Sequence, residues 1–260
     1  MNTGTKNSFG RIDVHSHILP GIDDGSRSIA ESVSLALAMS KAGYTHMFCT
    51  PHYWPGMEVI TPDFLQARVR ALQAELDQNE VPLTLLPGSE LNLSLDISKM
   101  SINDIPTFGL AGRHVLFDFW DDKLPRMFWP WVKRLQSMGL TVILAHPERN
   151  NCIQNDPTLI DTFDRGGLLL QGNLHCLADA PGRMTRELAE KWLKTDRYFM
   201  LGSDLHRTEG VAQRLDGLSR AIELVGEDRV WKLTHTNPKS LLTNTDPGKL
   251  PRTTPGGVTP

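Results

Sequence analysis

What this chain has little of narrows its class before any motif is considered. It holds three cysteines, Cys49, Cys152 and Cys176, with no CxxC pair and no even framework. That fits a reducing compartment better than a disulfide scaffold. No run approaches the ~20 apolar residues of a membrane span, and the polar first ten residues offer no signal-peptide core. A cytoplasmic protein with no membrane insertion is expected. Charge of one sign is not in excess either: 27 Lys and Arg stand against 30 Asp and Glu, a formal net charge of −3. Nucleic-acid binding therefore has no electrostatic footprint.

Nucleophile templates are missing as well. There is no GxSxG elbow, no P-loop and no GxGxxG after a strand. A cysteine phosphatase needs Cys, five residues and then Arg; Arg183 falls seven positions after Cys176, one too many. Cysteine or serine chemistry is disfavoured.

What is present is a series of seven short apolar runs, near 11–15, 44–50, 82–87, 114–119, 140–145, 167–172 and 198–203. Between them lie segments of helical period, at 28–42, 62–79, 125–138, 157–165, 184–195, 210–225 and 227–234. Ser28-Ile29-Ala30-Glu31 has the capping-box pattern, and Thr61-Pro62 and Asp156-Pro157 place a capping side chain before Pro. Alternation of this kind argues for an α/β fold with a parallel sheet. The periodicity suits an open doubly wound sheet as well as a barrel. The placement of polar residues favours the barrel, which brings every strand end to one cavity.

Each run ends on, or close to, a His, Asp, Glu or amide. Residues two apart in a strand share a face, so His15/His17 and Asp204/His206 each present two ligands together. The full candidate set is His15, His17, Asp24, His52, Glu90, Asp118, His146, Asp204 and His206. Nine imidazole and carboxylate donors exceed the needs of one ion, so two or three divalent ions are expected. With no thiolate among them, the mix suits Mn²⁺, Fe²⁺ or Zn²⁺ better than copper or an iron–sulfur cluster. Arg149 and Arg207 follow His146 and His206 closely; alone they suit a surface loop equally well, but beside a polymetal cluster they point to phosphate. Gln171, Asn173 and His175 alternate after the sixth run and are further candidates to line the cavity, whereas His46 and His114 read as strand starts and His235 as surface.

These residues resemble the polymerase and histidinol phosphatase (PHP) superfamily, and within it the bacterial protein-tyrosine phosphatases of capsule and exopolysaccharide operons. The likeness rests on Ile12-Asp13-Val14-His15-Ser16-His17-Ile18-Leu19-Pro20-Gly21-Ile22-Asp23-Asp24-Gly25, then Thr50-Pro51-His52, Gly88-Ser89-Glu90, Ala145-His146-Pro147-Glu148-Arg149, Ser203-Asp204-Leu205-His206 and Asn237-Pro238. It spans residues 11–243, leaving 1–10 as an expected flexible N-terminus and 244–260 as an expected disordered tail. The resemblance implies a distorted (β/α)7 barrel of PHP type with up to three metals, often manganese, at its C-terminal mouth. It implies one ion on His15, His17, Glu90 and Asp204, a second on Glu90, the acidic residue at 118 and His146, and a third near Asp24, His52 and His206. Arg149 matches a phosphate-contacting arginine, Arg207 more loosely. The branch usually has Glu where this chain has Asp118, one methylene shorter. The implied activity is phosphotyrosine hydrolysis by metal-activated water, on the tyrosine-rich tail of a polysaccharide-synthesis kinase. A small-molecule phosphatase such as histidinol phosphatase, or a weakly active metal-stabilised binding module, are the alternatives.

Overall fold

Apolar runs become strands and amphipathic stretches become helices in the computed structural model, which describes residues 9–57, 59–178 and 182–242. The 244–260 tail and residues 1–8 of the N-terminal segment lie outside the described residues. The strands are β1 (Arg11–Asp13), β2 (Tyr44–Cys49), β3 (His52–Tyr53), β4 (Thr84–Pro87), β5 (Glu90–Asn92), β6 (His114–Asp118), β7 (Thr141–Ala145), β8 (Leu169–Asn173) and β9 (Met200–Gly202). Around them run α1 (Ile29–Lys41), α2 (Pro62–Gln78), α3 (Phe128–Ser137), α4 (Asn151–Asn155), α5 (Leu159–Arg165), α6 (His175–Ala178), α7 (Arg183–Lys194), α8 (Val211–Val225), α9 (Glu227–Trp231) and α10 (Asn237–Ser240).

All seven expected strands are present. The short β3 and β5 are additions, cut off from β2 and β4 by Thr50-Pro51 and Gly88-Ser89; proline brings no amide hydrogen to a ladder. Helix starts follow their caps. Ser28 Oγ accepts from the Glu31 amide, and Thr61 Oγ1 accepts from the Phe64 amide ahead of Pro62. Asp156-Pro157 differs from expectation. Asp156 accepts from the Thr158 amide as a local turn, so α5 begins two residues beyond Pro157. His235 also departs from the surface reading, being half-buried with Nδ1 2.7 Å from the Gly10 carbonyl.

Every ladder is parallel, in the orders β1-β2-β4 and β3-β5-β6-β7-β8-β9. An isolated parallel bridge joins Ser16 to Leu205, the extensions of β1 and β9. The result is a mixed α/β fold on a curled parallel sheet. Alternate strand positions sort into two apolar clusters. Val115, Phe117, Val142 and Leu144 pack in the larger one with the helices, while Leu116, Ile143, Ile12, Val14 and Met200 form a smaller one. Leu116 precedes Asp118 by two residues and Met200 precedes Asp204 by four. The smaller cluster is thus the apolar floor beneath the polar strand ends.

Candidate metal centre

The floor stops where the strands end, and the next side chains are almost all imidazoles and carboxylates. β1 and β9 are pinned together there by Asp13, a buried carboxylate accepting from the Ser203 amide (2.9 Å), the Ser203 hydroxyl (2.5 Å) and the His15 amide (3.3 Å). His15, His17 and Asp204 are thereby brought to one point. His15 Nε2 lies 3.2 Å from His17 Nε2, 3.3 Å from Glu90 Oε2 and 3.5 Å from Asp204 Oδ1. His17 Nε2 is 3.6 Å from the same Glu90 oxygen and 3.3 Å from Asp204 Oδ1.

Partners behind the rings decide which nitrogen faces this point. His15 Nδ1 is 2.8 Å from Gln171 Oε1, whose amide is fixed by donating to Asn173 Oδ1 and the Gly172 carbonyl. An amide oxygen only accepts, so Nδ1 carries the proton and Nε2 turns a lone pair inward. His17 Nδ1 is 2.7 Å from Asp23 Oδ2, giving the same orientation. Asp23 also accepts from the Gly25 and His52 amides. Burial pushes its carboxyl up, but His17 and these amides outweigh that and hold it at about 2. Gly25 is required for the loop to close, since a Cβ there would lie 2.1 Å from the His17 carbonyl oxygen.

Glu90 is the hub. Its Oε1 lies 2.8 Å from His146 Nε2 and its Oε2 lies 2.8 Å from His52 Nδ1. Asp24 Oδ1, on the exposed loop, is 3.5 Å from His52 Nε2 and 3.4 Å from His206 Nε2. His146 (φ 29°) and Asp204 (φ 52°) adopt left-handed backbone conformations, unusual outside glycine and costing of order 1–3 kcal/mol each. Both turn their side chains toward the cluster.

All nine expected ligands therefore meet. Their donor atoms fall into four groups, each with every atom within 4.8 Å of the others: His17/Asp24/His52/His206, His15/Glu90/His146, His15/His17/Asp204 and His52/Glu90/Asp118. The grouping of Asp118 differs from that implied by the resemblance, for it sits with His52 rather than His146. Its Oδ1 accepts from Asn92 Nδ2 and its Oδ2 from Trp120 Nε1, both at 2.7 Å, and these draw the short side chain aside. Burial and the neighbouring Glu90 charge push the Asp118 carboxyl well up.

The donor set fits divalent cations. His52 Nδ1 and Glu90 Oε2 are buried 2.8 Å apart, yet they are not aligned for a hydrogen bond with each other. An unsatisfied buried carboxylate oxygen is costly, and a cation satisfies both atoms at once. Burial would neutralise Glu90 and Asp204, but adjacent imidazoles, with Arg149 in the case of Asp204, hold both well below the usual carboxylate range. These two carboxylates thus stay ionised.

The arginines are placed differently from each other. Arg149 Nη1 donates to Asp204 Oδ2, and its Cζ sits 5.0 Å from the Trp120 ring centroid, at the partly exposed rim. Arg207 Nη2 donates to the Asp24 carbonyl, and Nη1 is 3.8 Å from Glu31 Oε2. Asn173, a candidate lining residue, donates to Asp204 Oδ2. His175 lies buried at the start of α6, its Nε2 3.6 Å from Cys176 Sγ. Sequence reasoning passed over Asp13, Asn92, Trp120 and Arg214, the last donating to the Ser203 and Asp204 carbonyls, and read Asp23 only as a loop carboxylate near the cavity. Asn92 had a signal, its two-residue spacing from Glu90; Arg214 had none.

Residues 11–243 match the family model described as capsular polysaccharide synthesis, CpsB/CapC. Tyrosine-protein phosphatase YwqE of Bacillus subtilis is 28% identical over 205 residues, 76% of this chain and 78% of that protein. Tyrosine-protein phosphatase CpsB of Streptococcus pneumoniae is 25% identical over 246 residues, 89% and 98% of the two chains. A solved structure from work on these two proteins, described there as unique metal-dependent tyrosine phosphatases, superposes with a TM-score of 0.79 at 26% identity, covering 89% of this chain and 94% of that one. The lactonase Lmo2620 of Listeria monocytogenes, 11% identical with a TM-score of 0.59 over 92% of this chain and 96% of its own, shares the fold alone.

Proposed function

This chain belongs to the CpsB/CapC family of capsular polysaccharide synthesis proteins, and from that premise we propose that it is a metal-dependent protein-tyrosine phosphatase. The observation that carries the reading is the meeting of nine nitrogen and oxygen donors from many strand ends, with an arginine at the rim. His15, His17, Glu90 and Asp204 form the innermost set; His146, His52, Asp118, Asp24 and His206 extend it to room for two or three ions. Manganese is the first choice, iron or zinc the next. Such ions supply Lewis acidity toward phosphoryl oxygens and bring the pKa of water near neutrality.

The chain's own residues do the rest. Gln171 and Asp23 keep the Nε2 lone pairs of His15 and His17 directed inward. Arg149 offers its fork to phosphate oxygens and stabilises the charge that gathers on them in the transition state. Arg207 holds the Asp24 loop through Nη2, with Nη1 3.8 Å from Glu31 Oε2, and is the looser candidate for contact with an anionic substrate. A tyrosinate leaves with little protonation, since its acid has a pKa near ~10.

The curled sheet is read as a distorted (β/α)7 barrel spanning 11–243, a reading supported by the Ser16–Leu205 bridge. The family's place in capsular polysaccharide synthesis supports a tyrosine-phosphorylated kinase of that process as substrate, acting in the cytoplasm. No helix among the described residues is long and apolar enough to cross a membrane. The test is phosphate release from a phosphotyrosyl peptide by metal-stripped protein, with and without Mn²⁺. Strong Mn²⁺-dependent release is expected. Turnover of histidinol phosphate alone would replace the reading with a small-molecule phosphatase, and bound metal without turnover of either would replace it with a binding role.

A further inference from the structure

Trp120 stands two residues beyond β6, at the rim of the cluster, held from three directions and still 42% exposed. Its Nε1–H donates to Asp118 Oδ2 at 2.7 Å. Its ring centroid is 5.3 Å from that of His146, with 34° between the planes. The Arg149 guanidinium lies over the indole, its Cζ 5.0 Å from the centroid. A scattered exposed apolar side chain needs no explanation. An indole tied to a cluster carboxylate, a cluster imidazole and the rim guanidinium is different, because it is a rigid apolar wall beside the anion-binding edge. Tryptophan gives such a surface at low entropic cost, having only two side-chain torsions.

We infer that Trp120 selects aryl over alkyl phosphates, its exposed indole surface packing against the phenyl ring of the substrate. The inference rests on the phosphatase reading and adds a specificity-determining residue to it. In phosphotyrosine a single ester oxygen separates phosphorus from the ring. A phosphate held at Arg149 therefore brings the ring into the neighbourhood of the indole that Arg149 covers. Aromatic pairs interact with centroids roughly 4.5–7 Å apart, offset or edge-on, and such a contact changes affinity by roughly threefold to tenfold. An alkyl phosphate offers only a methylene at the same place.

The experiment uses the Mn²⁺-loaded protein and two ligands that are not phosphate esters, phenylphosphonate and methylphosphonate, with dissociation constants measured by calorimetry. The readout is the ratio of the two constants, because any loosening of Arg149 or Asp118 in a variant weakens both ligands alike. The wild-type protein should bind phenylphosphonate more tightly. Trp120→Ala should move the ratio toward unity by roughly threefold to tenfold. Trp120→Leu, which keeps bulk without a π face, should follow Ala, and Trp120→Phe should retain the preference. An undiminished phenyl preference in the Ala and Leu variants overturns the inference. Equal wild-type affinities overturn it too, while leaving the phosphatase reading in place. Binding of neither phosphonate overturns both.

Discussion

An imidazole takes a cation only through a bare nitrogen, so any metal affinity at these donors depends heavily on what lies one atom behind them. Asp23 is the clearest case, with His17 Nδ1 on one oxygen and the Gly25 amide on the other. Asp23→Asn keeps the size but removes the charge that fixes the ring. Loss of such a partner typically costs 10–100-fold in metal affinity, and a drop of about that size in Mn²⁺ affinity by calorimetry is expected. An unchanged affinity would reduce Asp23 to a turn residue. His146→Ala removes a donor that touches Glu90 directly. It should abolish Mn²⁺-dependent turnover while circular dichroism stays native; full activity would sink the site assignment. The nine donors that meet were legible in the sequence because residue type and strand-end position are one-dimensional facts. Their supports were not. Gln171 reaches His15 across 156 residues and Asp13 reaches Ser203 across 190, and no spacing rule anticipates either contact.

At the scale of elements, packing overrules propensity at Gly217, in the middle of α8. Alanine there would be favoured by about 1 kcal/mol on helix propensity alone. A Cβ, however, would lie 1.9 Å from the Leu174 carbonyl oxygen, so α8 would have to move off the turn that follows β8. Overpacking of this kind costs typically 1–3 kcal/mol, and Gly217→Ala should lower unfolding stability by up to about 2 kcal/mol in urea titration. A stabilised variant would refute the contact. His46 in β2 makes a second case. It stacks on Phe9 with centroids 4.2 Å apart, and burial, with His235 nearby, lowers its pKa below 6.5. The unfolded chain then binds more protons, so this contribution is complete above pH ~6.5 and is lost as pH falls below it. His46→Phe keeps a ring and should flatten that acid limb relative to wild type; parallel stability–pH curves would show that His46 contributes nothing to it. The main strands and helices were readable because their periods are long enough to repeat. β3 and β5, two and three residues long, have no period to read, and tertiary pairing alone defines them.

For the whole molecule, the cluster is where the two ladders meet over one floor. His15 and His17 extend β1 of the shorter ladder, while His52, Glu90, Asp118, His146, Asp204 and His206 lie in or just beyond strands of the longer one. Any ion shared among them links elements from both ends of the chain, and only the folded state assembles the set. Metal therefore adds to unfolding free energy by mass action, about 2.7 kcal/mol per site at a hundredfold excess over Kd. For a chain of this size 1 kcal/mol moves Tm by about 2–4 °C, so Mn²⁺ should raise the Tm of stripped protein by roughly 5–10 °C for one filled site. The sign of the pH effect follows from the imidazoles. Burial alone would lower His15 and His17, but Glu90 and Asp204 beside His15, and Asp204 and Asp23 beside His17, raise both. Without metal these rings hold protons to higher pH than usual, and an ion must displace them to bind. The Mn²⁺-induced rise should accordingly be larger at mildly alkaline than at mildly acidic pH, and smaller in His17→Ala at either. Differential scanning fluorimetry with and without chelator measures it. A Tm indifferent to Mn²⁺ at both pH values would mean that the folded chain assembles these nine donors without binding the ion.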